Sequence, residues 1–114
     1  MFALLMGLKS ISPHELHRLV QNPGHVSVVD VNSSQSWAKA HVPGARNLDP
    51  VAYQDSDLPA DKNQMLVFYC SNPMCRKAPN AARRAKKIGH SNVLVMSAGI
   101  SGWLAAKLPT ESAG

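Results

Sequence analysis

Hydrophobic positions in this chain follow two rhythms. Unbroken apolar runs rich in β-branched residues appear at HVSVVDV (residues 25 to 31), QMLVFYC (64 to 70) and SNVLVMS (91 to 97). Runs of that length, flanked by turn-forming clusters such as NPG and NSS, predict strands buried on both faces of a parallel sheet. Between them the period lengthens to that of helices. PHELHRLVQ (13 to 21) follows Ser12, an N-cap with Glu15 three residues on, and places Leu16, Leu19 and Val20 on one face. RKAPNAARRAKKIG (76 to 89) aligns Ala78, Ala81, Ala82, Ala85 and Ile88 and stops at Gly89. Pro79 is tolerated there because it lies in the first turn. SQSWAKAH (34 to 41) and GWLAAKL (102 to 108) read as shorter helices, the second ending at Pro109. VPGARNL supplies a Pro-Gly turn and a brief strand at 45 to 48; an Asp- and Pro-containing loop runs on to residue 63, and AGISG reads as a turn. Strands alternating with helices at this spacing predict an α/β fold. The expectation is one domain over residues 1 to 114, with a mainly parallel central sheet flanked by helices on both faces.

Composition agrees with that picture. A chain of 114 residues suits one core, and 45% hydrophobic against 17% charged residues lets it bury enough apolar surface without disulfide stapling. MFALLMGL has no basic start and no small-residue cleavage site, and no apolar run approaches the ~20 residues of a membrane span. A cytoplasmic protein with no membrane partner is expected. A reducing compartment keeps thiols free, which disfavours a permanent disulfide between the two cysteines.

Charge changes the picture more. The formal net charge is +5, and no Asp or Glu occurs between Lys62 and Thr110, whereas Asp49, Asp55, Asp57 and Asp61 crowd the preceding loop. The second half therefore draws anions. Nucleic acid is set aside as a partner: there is no zinc-finger spacing and no aromatic stacking set in a chain with 5% aromatics. Arg83, Arg84, Lys86 and Lys87 read as the solvated face of their helix rather than a docking patch for an acidic protein.

The chemistry gathers in FYCSNPMCRKA (68 to 78), where the only two cysteines stand five positions apart between the clearest strand and the clearest helix. Ligands in open parallel sheets bind beyond the carboxyl ends of strands, and Cys70 stands at such an end. The loop after it runs into a helix whose first N–H groups have no internal partners. A short loop there can curl its amides around an anion, so Ser71, Asn72, Pro73, Met74, Cys75 and Arg76 are the candidate anion cradle for a Cys70 thiolate and its substrate. The loop has no glycine; a position needing positive φ would fall to Asn72. Core filler remains an alternative for either cysteine. A zinc site would need further ligands, and only His90 lies near, so no metal is expected. No cofactor is implied.

With those residues in view, the chain resembles a single-domain rhodanese, a sulfurtransferase family with an α/β fold. VSVVDVNSSQSWAKAHVPGARNL is similar to the family's strand, Asp-Val, helix and Gly-His-Ile-Pro-Gly-Ala segment, here Ala40, His41, Val42, Pro43, Gly44 and Ala45. MLVFYC resembles the strand leading to the catalytic cysteine. NVLVMSAGISGWLAAKLP resembles the closing strand, Gly-Gly-Ile turn and Trp-containing helix, with Ala98 for the first glycine. The resemblance implies that the Cys70 thiolate takes sulfane sulfur as a persulfide from a small anionic donor such as thiosulfate and passes it to a thiol, protein or cyanide acceptor. Asp30 and His41 match motif positions and are assigned to fold support.

The departures matter. The family's Arg after Asp-Val, and the Glu four residues beyond it, are Asn32 and Ser36 here. The loop CSNPMCR has seven residues where ordinary sulfurtransferases have six. A Cys-x5-Arg loop resembles the rhodanese-fold phosphatases and arsenate reductases, in which a tetrahedral oxyanion is held. Phosphatase action would need an acid to protonate the leaving group, and Asp55 or Asp57 would serve only if the long loop folds over the site. Cys75 is a candidate resolving thiol, able to close a disulfide onto Cys70 if the Cα atoms come within ~4.4 to 6.8 Å. A non-catalytic sensing or binding module is a further alternative.

Overall fold

In the computed structural model, residues 7 to 22 and 24 to 113 are described. The three apolar runs become strands β2 (Val26–Asp30), β4 (Met65–Tyr69) and β5 (Val93–Val95), and two short strands, β1 (Lys9–Ser10) and β3 (Arg46–Asn47), join them. They form one sheet in the order β1-β5-β4-β2-β3, and every neighbouring pair is parallel. The helices are α1 (Pro13–Val20), α2 (Ser34–Lys39), α3 (Lys77–Ile88) and α4 (Gly99–Ala105), with one 3-10 turn at Asp55–Asp57. Ser12 caps α1 through the expected box with Glu15, and Gly89 ends α3 with φ +121°.

Alternation along β4 explains the layering. Leu66, Phe68 and Cys70 turn to one face, where they meet the alanine stripe of α3: Ala78, Ala81, Ala82 and Ala85. Val67 and Tyr69 turn to the other, against Leu16 of α1 and Trp103 of α4. Helices therefore cover both faces, as the sequence predicts. Alanine on the packed face of α3 keeps the helix backbone close to the strands at no side-chain entropy cost.

The fold departs from sequence expectation in three places. The edge strand β1 was not foreseen, because two residues, Lys9 and Ser10, carry no readable alternation. The last helix begins at Gly99, so AGISG is its first turn and not a separate connection. Arg84 is not a solvated charge. Its guanidinium donates to the carbonyls of Val51 and of Tyr53 (2.6 Å to the second) and lies 5.0 Å from the Tyr53 ring centroid. Tyr53 is itself buried and its hydroxyl donates to the Ala81 carbonyl at 2.6 Å, with burial pushing the phenol pKa up to about 12. The Asp-rich loop is thereby bound down onto α3.

From β2 the chain steps outward to β3, and from β4 it steps the other way to β5. The carboxyl ends of the neighbouring strands β2 and β4 thus form the topological switch point. Asp30 joins them. Fully buried, its Oδ2 accepts from the Tyr69 hydroxyl at 2.6 Å and its Oδ1 from the Asn32 amide at 2.8 Å. The same Tyr69 oxygen accepts from the Val42 amide at 3.1 Å, which ties in the Pro-Gly turn. His41 contacts the Trp37 carbonyl through Nδ1 at 2.6 Å, stacks on the Trp37 ring at 4.3 Å, and pairs its backbone with Glu111. Both motif residues hold the frame.

Burial drives the Asp30 carboxyl above the ordinary carboxylate range, and the Tyr69 and Asn32 hydrogen bonds oppose that rise without cancelling it. The folded chain then keeps this proton to a higher pH than the unfolded chain does. Its contribution to stability is complete below the unfolded pKa and is lost as pH rises through the folded one. The urea midpoint is therefore expected to fall as pH climbs from the ordinary carboxylate pKa through the raised value. Asp30→Asn should remove that slope; an unchanged slope in the variant would assign it to another group.

Candidate active site

Cys70 follows directly on β4 and is 3% exposed. The structure bonds its sulfur to that of Cys75, the two Cα atoms lying 6.4 Å apart. That spacing is within the ~4.4 to 6.8 Å a disulfide spans. The expectation of two free thiols does not hold in this state. A tight turn closes the gap: the Cys75 amide donates to the Asn72 carbonyl at 3.1 Å, and the Met74 amide to the Asn72 side-chain oxygen at 2.9 Å. Pro73 sits at the turn's second position, where its fixed φ fits. No loop residue takes positive φ; Asn72 shapes the loop by its side-chain acceptor instead.

The turn bears on the anion cradle. In this disulfide form the Met74 and Cys75 amides face Asn72, and Pro73 has no N–H to offer. Ser71, Asn72, Pro73 and Met74 are exposed, Cys75 is half-buried against the core, and the Met74 side chain, 74% exposed, stands at the tip. Arg76 ends the loop at the N-cap of α3 in helical backbone geometry, its carbonyl accepting from Asn80 at 3.1 Å.

Three neighbours fix the base of the loop. From α4, the Ile100 amide donates to the Cys70 carbonyl at 2.9 Å and the Ser101 amide to the Ser71 carbonyl at 3.0 Å. Gly99 makes this approach feasible: at φ +68°, a Cβ there would lie 2.5 Å from the Ser71 carbonyl carbon and 2.6 Å from the Asn72 nitrogen. From β2, Asn32 accepts the Ser71 hydroxyl at 2.8 Å. From β3, the Asn47 amide group donates to the carbonyls of Asp30 at 3.0 Å and Asn32 at 2.9 Å. Sequence reading treated Asn32 only as a lost charge. Its place two residues past Asp30, at a strand end beside the switch point, was the available signal.

Two hollows flank the site. A recess of about 10 Å³ is lined by Cys70, Asn72, Cys75, Pro79, Met96 and Ser97, and the buried Ser97 hydroxyl has no hydrogen-bond partner among the described residues. A wider cleft of about 460 Å³ opens beside it, lined by Asn32, Ser33, Asn47, Asp49, Val51 and Lys77. Asp55 and Asp57 do not fold over the loop. Asp55 pairs with Lys62 at 2.5 Å, and Asp57 accepts from the Gln54 amide at 2.8 Å. The Lys62 carbonyl in turn accepts from Ser91, ahead of β5, at the opposite end of the sheet. Neither is placed to protonate a leaving group at Cys70.

A family model described as a rhodanese-like domain matches residues 12 to 106. The chain belongs to that family. Curated relatives of this rhodanese-like domain include an HTH-type transcriptional regulator of Mycobacterium tuberculosis, 32% identical over 77% of this chain but over only 38% of the regulator's own length. They also include thiosulfate sulfurtransferase GlpE of Ectopseudomonas mendocina, 33% identical over 92% of each chain. A crystal structure of a Bacillus halodurans protein superposes with a TM-score of 0.83 over 98% of this chain and 82% of its own; at 20% identity it speaks for the fold. Among the described residues no helix is long and apolar enough to cross a membrane.

The close approach at residue 99 gives a sharp expectation. Gly99→Ala must displace the Ser71 and Asn72 backbone or distort the start of α4. A loss of about 1 to 3 kcal/mol in unfolding free energy is expected. If the denaturant midpoint instead matches the parent, the tight contact is not a constraint.

Proposed function

We propose that this rhodanese-like domain is a sulfurtransferase whose Cys70 thiolate takes sulfane sulfur from a small anionic donor such as thiosulfate. The observation that carries the reading is the position of Cys70: a sulfur at the carboxyl end of the central strand, on the switch point, at the mouth of a loop leading into a twelve-residue helix. The relation to thiosulfate sulfurtransferases supports it. Reduction of the disulfide is the entry step, since it frees the Cys70 sulfur and relieves Cys75 of its tether.

In the first half-reaction the thiolate attacks the outer sulfur of thiosulfate. A Cys70–sulfur bond forms, the donor's sulfur–sulfur bond breaks, and sulfite departs with the electron pair. The Lys77 and Ala78 amides, which as first-turn groups have no carbonyl within their own helix, and the dipole of α3 favour the anions on both sides of this step. Ser71 to Arg76 form the cradle, through backbone amides where they have them and through the guanidinium of Arg76. In the second half-reaction a thiol or cyanide attacks the outer sulfur and regenerates the thiolate. The oxyanion alternative lacks an acid, because Asp55 and Asp57 are engaged elsewhere. No metal or cofactor enters the chemistry.

The test is thiocyanate formation from thiosulfate and cyanide by pre-reduced Cys75→Ser protein, in which cyanide has no rival thiol in the loop. Adding Cys70→Ser should lower the rate by about three orders of magnitude or more. No thiocyanate from any sulfane donor would sink the reading. Arg76→Ala should raise KM for thiosulfate about tenfold, the worth of a charge-assisted hydrogen bond. An uncharged organic trisulfide should be affected far less, and equal losses for both donors would remove Arg76 from donor binding.

A further inference from the structure

The Cys70–Cys75 bond shows more than proximity. The turn from Asn72 to Cys75 brings the second sulfur onto the first with ordinary backbone angles and two hydrogen bonds of its own. Cys75 is packed against the same core cluster that holds Cys70. Beside the sulfur pair lies the recess of about 10 Å³. That is roughly the space of a single water molecule, and so of one further heavy atom. Its lining includes Ser97, a buried hydroxyl donor without an acceptor among the described residues. The loop therefore contains a second thiol within bonding reach of the first, a one-atom hollow and an idle donor.

From this we infer that Cys75 is the internal acceptor of the sulfur-loaded loop, so that the domain reduces sulfane sulfur to hydrosulfide at the expense of its own dithiol. The inference rests on the Cys70 persulfide reading. The Cys75 thiolate attacks the Cys70 sulfur; the Cys70–Cys75 bond forms and the bond to the outer sulfur breaks. That sulfur leaves with the electron pair and takes up the proton released from the Cys75 thiol. The two thiols are oxidised to a disulfide, and the sulfane sulfur is reduced to hydrosulfide. An external dithiol then reopens the loop by thiol–disulfide exchange and is itself oxidised. An intramolecular thiol held this close outcompetes a dilute external acceptor by effective concentration alone. The disulfide of the present structure is then the product state of the cycle.

The experiment is one turnover without an external acceptor. Pre-reduced, desalted protein receives one equivalent of thiosulfate without oxygen, and sulfite, hydrosulfide and intact mass are followed. The parent chain is expected to release both sulfite and hydrosulfide, stoichiometric with protein, and to finish two hydrogens lighter than its reduced form. Cys75→Ser and Cys75→Ala are expected to release sulfite, to keep the mass of one added sulfur, and to release hydrosulfide at least about a hundredfold more slowly. Two substitutions guard against one that merely disturbs the packing. A parent chain that releases sulfite yet retains the added sulfur, as the variants do, would overturn the internal step and leave sulfur transfer standing. No sulfite from any of the three would overturn the persulfide reading and this inference together.

Discussion

The backbone of residues 70 and 71 is held between two elements that meet it from different sides. From one, the first turn of α4 donates two amides to its carbonyls, an approach that only a residue without Cβ at position 99 permits. From the other, Asn32 at the end of β2 holds the Ser71 hydroxyl. A cysteine at the end of a strand would otherwise be free to sink into the core or swing into solvent. Clamped here, it stays at the carboxyl end of β4 with its sulfur facing the start of α3. Other contacts set the elements around that clamp: the alanine stripe seats α3, the Asp30–Tyr69 pair locks β2 to β4, and Arg84 ties the Asp-rich loop onto α3.

The neutral residues at positions 32 and 36 make physical sense in this frame. An arginine at the end of β2 would bring a buried charge that needs a partner carboxylate, at a desolvation cost its pairing must recover. This chain has neither member of such a pair. It uses a buried amide that is satisfied on both sides: its backbone N–H donates to Asp30, its carbonyl accepts from Asn47 and its side-chain oxygen accepts from Ser71. The contact is shorter in reach and lands directly on the loop that follows Cys70. The loop is thus coupled to the sheet by neutral hydrogen bonds that neither screening by salt nor a change of pH in the neutral range would weaken much.

How far the sequence carried the structure depended on whether a feature was periodic or positional. The three apolar runs and the two longer helices have enough residues for their rhythm to be read, and their bounds came out within a few positions. The strand at Lys9 and Ser10 and the early start of α4 at Gly99 are set by tertiary pairing with Val95, Cys70 and Ser71, which no local pattern records. Arg84 looked like one of four equivalent cations in a helical cluster; only the return of the loop at Val51 and Tyr53 distinguishes it from Arg83. The placement of Cys70 between β4 and α3 was legible, since a cysteine ending a buried strand before a helix is a local feature. The bond between the two cysteines was not. Whether Cys75 faces Cys70 depends on how Asn72 folds the turn, and the sequence suggested a left-handed backbone for Asn72 where the chain uses its side-chain oxygen.

The two extra features of this loop, its seventh residue and its second cysteine, are best understood together. Five intervening positions allow a tight turn to fold Cys75 back over Cys70, whereas a fully curled cradle would point the intervening amides at the substrate. The same backbone cannot do both at once: the Met74 and Cys75 amides that face Asn72 in the disulfide are ones an open cradle would offer to an anion. On the proposed mechanism, oxidation would remove the Cys70 thiolate and turn these amides away from an anion in a single movement, and reduction would restore both. The conformation of a loop built this way is coupled to the redox state of its own thiol pair. The longer spacing is what lets Cys75 reach Cys70, and on the proposed reading it serves the disulfide rather than a larger oxyanion.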